Sequence, residues 1–275
     1  MNYQDPFDFL VFLSVIAGIG VLVSSLEMIT IREHYQRGGL FSWEIKRVRS
    51  WGVGSGPLFH VVDALLRYPN VLVLISLQIV AVLLIGVFLE SRRLFIIPIS
   101  ILTVTLVLMG ASGKNGRNGA DQMSTLIFSS LFLALLSDNV LVWKAELWFL
   151  ALQLNLAYLT SGILKVRKKG WWDGSYLLLA IRTQLYGNEP VWRTFRKHPR
   201  LLSLMSKVVL LLECGFFITL LLPLRYSWPI FLAGILFHIA NAVAMGLNTF
   251  VWSYLALYPA AAYCGNSAWN MVVTR

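Results

Sequence analysis

Long apolar runs separated by short polar or basic stretches dominate the chain. They fall at about Phe9–Ile29, Val71–Leu89, Leu94–Gly110, Met123–Trp143, Leu147–Leu164, Leu201–Leu224, Trp228–Leu247 and Thr249–Tyr263. Several reach the roughly 18 apolar residues that carry a helix through hydrocarbon. Lipid offers the backbone no hydrogen-bond partners, so such segments must satisfy their own, as a helix does. The pattern therefore predicts an all-α fold, a polytopic transmembrane helical bundle of about eight spanning helices with short interfacial helices. The interfacial helices are expected at Pro57–Tyr68, stopped by Pro69, and near Gly174–Tyr186. The glycine-rich loop Ala111–Gln122 reads as a connection, and it matches neither GxxxxGKS nor GxGxxG. With no short repeat and no separate soluble stretch, residues 1–275 are read as one transmembrane domain.

Composition agrees with that pattern. Only 13% of residues are charged and 57% are hydrophobic, against about 25% charged in a soluble domain. The formal net charge of +10 would suggest nucleic acid in a soluble protein. Here the cations sit in the connections, so membrane lipids with anionic head groups are the expected partners and nucleic acid is not. Most of the 23 Lys and Arg residues lie in alternate loops, chiefly Arg32–Arg67 and Lys165–Arg200. With eight spans, the positive-inside rule puts both termini outside the cytoplasm, and one half-inserted helix would reverse an end. The start, MNYQDPFDF, lacks a basic n-region, so no cleavable signal peptide is expected. Trp143, Trp171, Trp172 and Trp228 fall near predicted helix ends, as an aromatic belt requires. Cys214 and Cys264 lie on different runs without CxxC spacing, which argues against a disulfide scaffold.

Candidate chemistry is concentrated in AYLTSGILKVRKKGWWDG, Ala157–Gly174. On a helix Asn155, Tyr158, Gly162 and Lys165 are spaced 3, 4 and 3 apart and share one face. An amide, a phenol and an amine at membrane depth are costly toward lipid, so this face should point into the protein. Lys165 has two readings: a helix-end lysine snorkelling to the head groups, or a partly buried amine kept neutral as a general base. His238 lies inside an apolar run with Asn241 on the same face, either as packing or as a hydrogen-bonded pair lining a site. Asp121 and Gln122 either cap the helix that starts there or line a polar pocket. Lys207 can snorkel, whereas Glu213 is deeper and needs a partner or a proton. His34, His60 and His198 fall in the connections between predicted spans, and no His/Cys/Asp/Glu set has metal-ligand spacing, so no metal is expected.

The same stretch resembles the HTTM membrane domain, shared by vitamin K-dependent γ-carboxylases and many shorter bacterial proteins. The resemblance rests on Tyr158, Gly162, Lys165, Trp172, Asp173 and Gly174, on FHIANAVAMGLNTFVWSYLALYP (Phe237–Pro259), and more weakly on GADQM (Gly119–Met123). It implies a helical bundle with a polar pocket in a bacterial cytoplasmic membrane. It also implies that Lys165 is the base toward a vitamin K-like quinol. His238 and Asn241 would position the substrate, with Asn155, Tyr158, Asp121, Gln122 and Trp172 as further binding residues. The sequence departs from the carboxylases in two ways. Asp121 and Gln122 stand where they use a histidine, and no stretch matches their large lumenal domain. Three readings follow: quinol-type chemistry, maturation of a secreted peptide with a separate processing partner as in the sporulation-delaying toxin system, and a membrane scaffold for a peptide or lipid.

Overall fold

The computed structural model describes residues 5–50, 56–111, 119–183 and 187–273. Apart from turns, the described residues are helical, with no strand among them. Two compact units divide the chain at Met1–Glu146 and Leu147–Arg275. The helices of the first are α1 (Pro6–Thr30), α2 (Trp43–Ser50), α3 (Pro57–Leu66), α4 (Asn70–Val87), α5 (Ile96–Ala111), α6 (Gly119–Leu135) and the start of α7 (Val140–Val166). The second holds the rest of α7, α8 (Lys169–Trp172), α9 (Ser175–Arg182), α10 (Glu189–Phe195), α11 (Pro199–Gly215), α12 (Leu224–Met245), α13 (Asn248–Leu255) and α14 (Tyr258–Val273). Hydropathy marks no boundary inside α7.

Among the described residues, five helices are long and apolar enough to cross a membrane: Pro6–Thr30, Asn70–Val87, Val140–Val166, Pro199–Leu220 and Leu224–Met245. The fourth combines α11 with the 3₁₀ turn Phe216–Leu220 that continues it. The expected count of about eight spans is not confirmed among the described residues, for identifiable reasons. The run Met123–Trp143 is split, because α6 ends at Leu135 and α7 begins at Val140. Asn139 Oδ1 accepts from Leu141 N at 2.9 Å and starts the new helix, while the Trp143 indole donates back to the Ser137 carbonyl at 3.0 Å. The run Thr249–Tyr263 is likewise two helices. Pro259 has no N–H and its ring clashes with the carbonyl four residues earlier, at Leu255, where α13 stops. At 16 residues, α5 is shorter than the expected span.

In the first unit α1 packs on α4, α4 on α5, and α5 on α6. Asp5 caps α1 by accepting from Phe7 N at 2.9 Å, and Pro6 fills the first helical position. Ser25 donates to Gln78 at 2.9 Å, which ties α1 to α4 where both side chains are buried. The expected interfacial helix is α3, and it ends before Pro69. Its Asp63 carboxylate accepts from Trp43 at 2.8 Å, Arg47 at 3.1 Å and Arg67 at 2.7 Å. Burial alone would raise that carboxyl, but the hydrogen bonds and the two guanidinium charges hold it below the usual carboxylate range.

In the second unit the polar stretch after α7 docks on α11. Ser206 and Ser203 of α11 donate to the Trp171 and Trp172 carbonyls, the latter at 3.0 Å. Gly174 sits at φ +85°, and a Cβ there would lie 2.7 Å from the Leu202 backbone, so only glycine fits. Asp173 accepts from Ser175 N at 2.8 Å and opens α9, the second expected surface helix. Residues 184–186 of that expected helix and 112–118 of the glycine-rich loop lie outside the described residues. Beyond α11, α12 packs on α13, α14 and the 3₁₀ turn.

Candidate functional site

One face of α7 organises the second unit, and it is the face whose spacing singled it out. Asn155 is buried; its Nδ2 donates to the Ala151 carbonyl at 2.8 Å, and its Oδ1 has no partner. One turn on, the buried Tyr158 hydroxyl lies 2.7 Å from His238 Nε2 and 2.8 Å from the Tyr258 hydroxyl. Its ring stacks on Phe216 with centroids 4.0 Å apart and meets His238 and Tyr254 edge-on. Tyr258 reaches Tyr158 across α12 only because residue 234 is glycine: a Cβ there would collide with the Tyr258 hydroxyl. The result is a short chain of exchangeable protons, Tyr258–Tyr158–His238, inside aromatic packing.

The next turn of α7 carries the charges. A Cβ on Gly162 would lie 2.7 Å from Cys214 Sγ, 3.0 Å from Cys214 N and 3.1 Å from Glu213 Cβ, so α7 and α11 approach across a bare hydrogen. That approach brings Lys165 Nζ into an ion pair with Glu213 Oε1. Ser161 completes a triangle, accepting from Lys165 at 2.9 Å and donating to Glu213 Oε1 at 3.2 Å. The Trp171 ring covers the amine, with its centroid 5.0 Å from Nζ. The Lys165 side chain is 19% exposed and that of Glu213 only 3%, so this pair is far from a freely hydrated one. Two further buried atoms of the unit lack partners, Glu213 Oε2 and His238 Nδ1.

His238 bonds Tyr158 rather than Asn241: its remaining ring nitrogen is unpartnered, and Asn241 is only half-buried. Trp172 is exposed and donates to the Val166 carbonyl at 2.9 Å, while its neighbour Trp171 covers Lys165. Asp121 and Gln122 open α6 in the first unit. There the phenol of Tyr35 is pushed up by burial and then by the charge of Asp121. Sequence reasoning missed Ser161, Tyr254 and Tyr258. It flagged Glu213 as needing a partner, which is Lys165. Among the described residues, no group of three or more His, Cys, Asp or Glu side chains could hold a metal ion.

The Tyr158 hydroxyl offers a direct check on this geometry. Tyr158→Phe keeps the ring stack but strands His238 Nε2 and the Tyr258 hydroxyl, two buried groups. A loss of about 1–3 kcal/mol is expected, read from denaturant unfolding in a fixed detergent. An unchanged midpoint would remove the hydroxyl from the packing of this unit.

No protein-family model, curated protein or solved structure matches the chain.

Proposed function

We propose that the chain is a multi-pass protein of the HTTM type in a bacterial cytoplasmic membrane. In this reading it serves the maturation of a secreted peptide, together with a separate processing partner. It does so by acid–base chemistry at Lys165 on a quinol-type lipophilic substrate. The observation that carries the reading is the Lys165–Ser161–Glu213 triangle at the end of an apolar helix long enough to cross a membrane. Ionisable side chains in such segments are costly and mark chemistry more often than packing.

The residues present suit a hydroxyl-bearing ring. Glu213 Oε2 and His238 Nδ1 are buried polar atoms without partners, and phenolic hydroxyls would satisfy them. Phe216, Tyr254 and Phe231 supply the aromatic surroundings such a ring packs against. In this reading the Lys165–Glu213 pair takes the hydroxyl proton, and the Tyr158–His238 bond orients the imidazole toward the ring. The phenolate so formed is a far better electron donor to dioxygen than the parent hydroquinone. Dioxygen takes up two electrons and two protons, giving quinone and hydrogen peroxide.

The test is oxygen-dependent oxidation of a short-tailed naphthohydroquinone by the full chain in liposomes. Lys165→Ala should lower turnover by at least about 100-fold, the scale on which proton transfer by a positioned acid–base pair contributes. Equal rates for wild type and variant would sink the enzymatic part. The maturation part predicts that deleting the protein abolishes the mature peptide in the producing cell. If Lys165→Ala and His238→Ala are both silent in both assays, the chain is a scaffold.

A further inference from the structure

We infer that the group receiving the substrate proton is Glu213, at Oε2, and that Lys165 is its fixed counter-cation rather than the base. This assignment rests on the acid–base reading above and concerns which end of the pair does the work. It follows from counting donors and acceptors in the triangle. Ser161 donates to Glu213 Oε1 and accepts from Lys165, and Lys165 donates to both. Around the amine stand a carboxylate, a hydroxyl oxygen and an indole face, each of which suits an ammonium. An ammonium has no lone pair to offer. The uncommitted acceptor of the triangle is Glu213 Oε2, buried and without a partner.

Charge balance points the same way. If Lys165 gave up its proton to act as base, the Glu213 carboxylate would be left buried without a counter-ion, the costly arrangement. If Glu213 accepts instead, the substrate O–H bond breaks and an Oε2–H bond forms. The new oxyanion then inherits the Lys165 ammonium as its partner. One anion replaces another beside the same cation, and no electron moves in this step. The titratable groups around Glu213 are Lys165 and Tyr158 of α7 and Tyr254 of α13, with His238 of α12 in electrostatic reach of Lys165. Protonation of the Glu213 carboxyl itself on the acid side removes the free acceptor, Oε2.

The experiment uses the full chain in liposomes with the same naphthohydroquinone, across pH, for wild type, Lys165→Ala, Lys165→Arg and Glu213→Gln. Arginine keeps the charge and cannot deprotonate. Lys165→Arg is expected to stay within about tenfold of wild type, whereas Glu213→Gln should fall at least about 100-fold and lose the acid limb of the pH profile. Wild-type rate and limb in Glu213→Gln, or Lys165→Arg as slow as Lys165→Ala, overturns the assignment and returns the role to the amine. Wild-type turnover no faster than Lys165→Ala defeats the acid–base reading and this assignment together. Should Glu213→Gln not fold, Glu213→Asp withdraws the carboxyl by one methylene. It should be slower than wild type with the acid limb retained, and equal rates would count against Glu213.

Discussion

Replacing Lys165 by methionine is expected to destabilise the chain by about 3 kcal/mol, with Glu213→Leu in the same chain recovering most of it. Breaking a buried ion pair from one side costs roughly 3–5 kcal/mol, because the remaining charge keeps its desolvation penalty and loses its partner. The 19% exposure left to the Lys165 side chain places the expectation at the lower end. Replacing both charges with apolar groups of similar volume is close to neutral in such cases. Denaturant unfolding of the two variants in one detergent measures this, and activity should not return in the double variant. A single Lys165→Met chain as stable as wild type would mean that the pair carries no folding energy.

Gly162→Val is the second large effect. The added Cβ meets Cys214 Sγ at 2.7 Å, Cys214 N at 3.0 Å and Glu213 Cβ at 3.1 Å. The sulfur is the one atom of the three that a rotamer change can move; the backbone nitrogen and the Cβ stay unless α11 itself shifts. Overpacking of this kind costs about 3 kcal/mol, the upper part of the usual range. Because the same contact sets the distance from Lys165 to Glu213, turnover of the hydroquinone should fall along with stability. Adding Cys214→Ala removes the sulfur but not the nitrogen, so a partial recovery of the unfolding midpoint is expected. Full recovery would show that the helices are not held apart by backbone.

Where the apolar run was uninterrupted, the helix followed it, as at α1, α4 and α12. Errors came where hydropathy and helix formation part company. Lys144 and Glu146 lower the apolarity of α7 but are good helix formers, so the helix starts at Val140 instead of Leu147. Pro259 does the reverse, breaking a run that still reads as apolar. The face of α7 was legible because it depends on a local period of 3.6 residues. Its partners were not. Glu213, His238 and Tyr258 meet it from 48, 80 and 100 residues away, and no local pattern encodes such pairings. Spacing alone likewise offered Asn241 as one partner for His238, although the ring turns toward α7 instead.

The missing side chain at Gly234 has a consequence for the second unit as a whole. In a bilayer, acyl chains compete on equal terms for every greasy surface, so oily contact alone does not choose how one helix is turned about its own axis. A hydroxyl seated against a bare backbone does choose. Rolling α12 in either direction would drive a neighbouring side chain into Tyr258 and swing His238 away from Tyr158. Gly234 thus acts as a keyway, holding α12 at one angle.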